Sequence, residues 1–208
     1  MGTSSIGSRG QTLLNPRFDH DSCGVGFVAA LHGAPNHDIL RLTLTALGRL
    51  AHRGAVAADR KSSDGVGVLT AVPRAFLLNQ TAIALAPERP LAVGMLFLPL
   101  EGVTSRDALR FEQCISAQGL RWLAWREVPI RREVLGELAL ASLPVIRQAL
   151  ITVPDSTEWT EAEVEHRLYL ARKAFERCSE GSYVCSLSTR TVVLQGNVRG
   201  ATAARVLS

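Results

Sequence analysis

The sequence predicts an α+β sandwich rather than a doubly wound parallel sheet. Two observations lead there. Strand-like apolar runs alternate with helical patterns along the 208 residues, and some of those runs stand side by side as hairpin-like pairs. A third, a composition 47% hydrophobic and 20% charged, is that of a folded chain able to bury a core as one domain or two small ones.

Residues 1–14 are rich in Gly, Ser and Thr without periodicity and are expected to form a flexible leader. The pattern changes at Cys23, which "GVGFVAAL" follows. That run is apolar on both faces and is expected to be a strand covered on both sides, with Gly24 and Gly26 allowing close approach to its backbone. "APNHDILRLTLTALGRLAHRGA" turns helical, starting near Pro35 and Asn36 and stopping at Gly54. "SSDGVGVLTAVP" reads as a turn into a strand, and "PLAVGMLFLP" as an apolar strand between prolines.

"SRDALRFEQCISAQG" is a helix ending at Gly119. "LRWLAWREVPI" and "LPVIRQALITVP" are strands around a short polar helix. The clearest helix is "TEAEVEHRLYLARKAFERCSEG". There Val164, Leu168, Ala171 and Phe175 share one face, and Thr160 with Glu163 makes a capping box. "SYVCSLSTRTVVLQG" closes the pattern as two strands, read as a candidate hairpin.

The net charge of +4 comes from scattered arginines such as Arg121, Arg126, Arg131 and Arg132. No dense basic block with interleaved aromatics is present, so nucleic acid is not expected as a partner. No apolar run approaches a membrane span, and no signal-peptide core precedes the domain. Four irregularly spaced cysteines are not a disulfide framework, so a reducing cytosol is the expected setting. Cys178 and Cys185 form no CxxC pair, which gives a zinc site little support.

Three places could carry chemistry. Cys23 is either a buried thiol at a strand start or a nucleophile, with His20, His32, His37 and His52 as available partners. Arg53, before Gly54, either complements a helix C-terminus or offers its planar fork to a carboxylate. Asp64 and Gly65 read as a tight turn before a strand.

Taken together, "FDHDSCGVGFVA" and "HDILRLTLTALGRLAHRGAVAADRKSSDGVGVLTAVPRAFL" closely resemble the start of a known domain. It is the class II, N-terminal-nucleophile glutamine amidotransferase domain of the glutamate synthase large subunit. "REVPIRREVLGELALASLPVIRQALI", "EHRLYLARKAFER" and "YVCSLSTRTVVLQG" follow in that family's order, so the resemblance covers roughly residues 12–196. It implies a four-layer α-β-β-α sandwich, here expected to be incomplete, with residues 1–22 a leader and 23–208 a partial amidotransferase domain.

By the same resemblance, Cys23 becomes the first residue once the leader is removed, and its thiol attacks the side-chain amide of glutamine. Arg53 matches the arginine that holds the glutamine α-carboxylate. Gly24 lies beside the nucleophile, and Asp64 and Gly65 match a "GDG" stretch near the substrate in which Ser63 replaces the first glycine. The complete family enzyme uses the released ammonia to aminate 2-oxoglutarate in a synthase domain carrying FMN and an iron–sulfur cluster. No cofactor is expected in this chain itself.

The family's oxyanion-hole segment, of the "HNGEINT" type, has no equivalent here, and the tail "NVRGATAARVLS" departs from the family continuation. Losing one oxyanion donor costs about 10²- to 10³-fold in rate. The isolated chain is therefore expected to need completion by another chain carrying the remaining amidotransferase and synthase segments. The alternative is a catalytically silent remnant used for binding or scaffolding.

Overall fold

A continuous apolar run between prolines suits a strand covered on both faces, and "AVGMLFL" becomes the centre of the fold. The computed structural model describes residues 24–31, 33, 36–50, 59, 61–62, 65–99 and 103–196. Its elements run α1 (His37–Arg49), β1 (Val66–Ala71), α2 (Arg74–Thr81), β2 (Ala92–Leu98), α3 (Val103–Ala117) and β3 (Arg121–Glu127). Then come a 3-10 turn (Arg132–Val134), α4 (Glu137–Ala141), β4 (Val145–Thr152), α5 (Glu161–Cys178), β5 (Tyr183–Ser188) and β6 (Thr191–Gly196).

Strands β3-β4-β2-β5 form one antiparallel sheet, while β1 and β6 pair antiparallel in a second. Alternation along β2 sends Ala92, Leu96 and Leu98 into a core shared with α3 and α5. Val93 and Met95 point the other way, into a core shared with Leu77 of α2 and Val192 of β6. Helices, four-stranded sheet and two-stranded sheet are thus successive layers, and α1 lies against β1 with Leu44 buried. The α+β expectation holds.

The face predicted for α5 is the face it buries: Val164, Leu168, Ala171 and Phe175 are all in the core. Its capping box is formed, with Thr160 Oγ1 accepting from Glu163 N and the Glu163 carboxylate accepting from Thr160 N at 2.7 Å. Asn36 caps α1 by accepting from Asp38 N at 2.8 Å.

One buried carboxylate ties the helical layer to the sheet. Asp107 of α3, fully buried, accepts from Ser179 Oγ at 2.6 Å and Ser182 Oγ at 2.5 Å, and Arg110 sits 3.4 Å from its other oxygen. Burial pushes its pKa up, but the two hydroxyls, with Arg110 and Arg106, outweigh that and hold it below 3.8. A depressed folded-state pKa gives stability that is complete above the unfolded value and lost as pH falls through the folded one. Asp107→Asn is therefore expected to cost about 2 kcal/mol at pH 7. Urea titrations at descending pH should show the gap to the parent chain closing below about pH 4.

Four expectations change. Residues 24–30 form no strand, and Val25, Phe27 and Leu31 are each more than nine-tenths exposed. An apolar run becomes a strand only with a partner, and neither β1 nor β6 pairs with it. An added Cβ at Gly26 would meet open space, so no close approach occurs there. Helix α1 ends at Arg49, ahead of Gly54, which lies outside the described residues.

Helix α2 was not expected. Pro73 precedes it without a side-chain cap, and it stops at Ala82, a non-glycine residue with φ 51°, so both usual boundary signals are missing.

Lastly, β5 and β6 are not a hairpin: β5 joins β2, and β6 crosses to β1. Thr189 and Arg190, between them, supply neither the glycine nor the asparagine that a two-residue hairpin turn favours. Glu165 of α5 holds the corner instead, accepting from Ser188 Oγ at 3.1 Å, Thr189 N at 2.7 Å and Thr189 Oγ1 at 2.5 Å.

Candidate functional site

The two sheets part at the end where β1 begins and β6 finishes, leaving a cavity of about 480 Å³. Its walls are apolar: Val66 and Val68 of β1, Leu194 of β6, Met95 and Phe97 of β2, and Ile146 of β4. Arg131, Ser142, Tyr183 and Gln195 add polar groups to the lining. An apolar concavity with a few polar groups is the usual form of a small-molecule site. Gly65 immediately precedes the lining residue Val66, and its φ of 103° is a conformation that L side chains rarely adopt.

Asp59 ties together the described residues ahead of Gly65. Its carboxylate accepts from Lys61 N at 3.0 Å, Ser62 N at 2.8 Å and Ser62 Oγ at 2.5 Å, with a longer contact of 3.4 Å from Leu138 N. The Ser62 hydroxyl first, then the backbone N–H groups of Ser62 and Lys61, hold its pKa at about 2 against the upward pull of burial.

Buried Ser62 in turn accepts from Ala139 N at 3.2 Å, so Asp59 and Ser62 sit on the start of α4. Ala139, Ser142 and Leu143 line the cavity, so hydrogen bonds tie Asp59 and Ser62 to one cavity wall. Gly136 leaves room for them: a Cβ there would run into Asp59 and Ser62. Sequence reasoning missed Asp59, Ser62 and Gly136. The available signal was Asp59 with Ser62 three residues on, two residue types that favour turns closed by their own side chains.

The described cysteines are not arranged as nucleophiles. Cys185 packs among the apolar side chains between the sheets, donates to Gln195 Oε1 at 3.4 Å, and has its pKa raised by burial. Burial pushes the Cys114 thiol up to about 11, and neighbouring Cys178 adds to this.

The iron–sulfur cluster implied by the resemblance does not fit these residues. A cluster takes about four thiolates together, whereas Cys185 lies between the sheets and Cys114 packs against the helix-side core. Among the described residues no group of three His, Cys, Asp or Glu side chains could hold a metal ion. No helix among the described residues is long and apolar enough to cross a membrane.

Of the predicted site residues, Gly65 stands at the mouth of β1, and Gly24 is exposed in irregular chain. Cys23, Arg53 and Asp64 lie outside the described residues, as do His20, His32 and His52.

Comparison with known proteins adds what geometry alone does not carry. The family model described as "Glutamine amidotransferases class-II" matches residues 23–206. Ferredoxin-dependent glutamate synthase 2 of Synechocystis sp. is 41% identical over 187 residues, covering 87% of this chain and 12% of that protein. The glutamate synthase [NADPH] large chain of Azospirillum brasilense is 38% identical over 191 residues, 88% of this chain and 12% of that one. The chloroplastic/mitochondrial ferredoxin-dependent glutamate synthase 1 of Arabidopsis thaliana is 35% identical over 193 residues, again 12% of its length. The chain spans about an eighth of the curated relatives it matches.

Proposed function

Because the chain belongs to the class II glutamine amidotransferases, we propose that it is the glutamine-hydrolysing part of a glutamate-synthase-type enzyme, with Cys23 as nucleophile. The observation that carries this reading is where the family match begins. It starts at Cys23 itself and leaves residues 1–22 outside, which supports a leader ahead of a catalytic N-terminus.

The chemistry follows from that position. A free α-amine titrates at about 7.7 to 8.0 and accepts a proton near neutral pH, whereas the amide nitrogen joining Ser22 to Cys23 does not. Removing the leader therefore creates the base. The Cys23 amine takes the thiol proton, sulfur attacks the γ-amide carbon of glutamine, and the C–N bond breaks as ammonia leaves with the returned proton. Water then cleaves the γ-glutamyl thioester, releasing glutamate and restoring the thiol.

Arg53 is assigned to the substrate α-carboxylate, a planar fork against a planar anion. Gly24, Asp64 and Gly65 are assigned to the substrate surroundings. In a complete enzyme the ammonia would go to the amination of 2-oxoglutarate in a further domain or chain, and FMN and the iron–sulfur cluster belong to that part. We place the protein in the cytoplasm, in keeping with a cysteine spacing that makes no disulfide framework.

Intact-mass analysis of the purified protein tests the assignment. The expected species begins at Cys23 and gains one adduct on that residue from a diazoketone analogue of glutamine. An adduct on any other cysteine would overturn it.

A further inference from the structure

We draw no further inference here: the strongest candidate, the apolar cavity between the two sheets together with the outer edges of β1 and β6 beside it, belongs in part to the site already described, and nothing among the described residues shows what covers the rest.

Discussion

Phe175→Ala is expected to destabilise the chain by about 4 kcal/mol, measured as a lower urea midpoint at unchanged slope. The side chain has no exposed surface, and its ring meets Phe111 edge-on at 5.2 Å between centroids. Truncation removes the transfer energy of a phenyl ring and leaves a hole between α5, α3 and the sheet, which close packing fills only in part. The aromatic pairing goes as well, worth about 1 kcal/mol beyond burial. Against a typical domain stability of about 5–15 kcal/mol this is a large fraction.

Two comparisons keep the result specific. Phe175→Leu retains most of the volume and should cost about 1.5 kcal/mol. Tyr169→Ala, on the exposed face of the same helix at 57% exposure, should stay within about 0.5 kcal/mol. Equal losses at 169 and 175 would mean that α5 does not bury the face assigned to it.

That face was legible in the sequence because a helix encodes its own burial locally. Four apolar residues at helical spacing and a Thr-x-x-Glu start need no distant partner to be recognised. β2 was legible for a similar reason, as an uninterrupted apolar run bounded by prolines. What was lost depends on distant pairing.

"GVGFVAAL" has the composition of a covered strand, yet the chain there pairs with neither strand of the second sheet. β5 and β6 look like a hairpin from their spacing, and only Glu165, more than twenty residues upstream, shows that the chain turns a corner between sheets. α2 is held by tertiary contacts instead of boundary signals: Leu77 is buried, and the Arg74 guanidinium donates to the Arg89 and Ala86 carbonyls at 2.6 and 2.8 Å. The site divides in the same way. Cys23, Arg53 and the Asp64 turn stood out by resemblance, whereas the Asp59 anchor joins residues almost eighty positions apart.

That anchor gives the second large effect, through a substitution that would ordinarily be favourable. Gly136 has φ −77° and ψ 164°, which alanine adopts without strain. Gly→Ala at such a position normally stabilises by about 0.4–1 kcal/mol through the unfolded chain. Here the sign should reverse. The new methyl would lie 2.8 Å from Ser62 N and closer still to the Asp59 carboxylate and Ser62 hydroxyl. The backbone nitrogen cannot swing aside as the end of a flexible side chain would, and Asp59 cannot move without giving up its bonds to Lys61, Ser62 and Leu138.

Gly136→Ala is therefore expected to cost about 1–3 kcal/mol. Because Asp59 keeps a pKa of about 2 against 3.8, its contribution is complete above pH 3.8 and lost as pH falls through about 2. The penalty should accordingly be the same at pH 7 and pH 5. A double-mutant cycle identifies the cause: Asp59→Ala should cost less in the Gly136→Ala chain than in the parent, since the first change has already displaced the carboxylate. Full additivity would mean that the methyl is accommodated elsewhere and that Ser62 is held against the start of α4 by something other than Asp59.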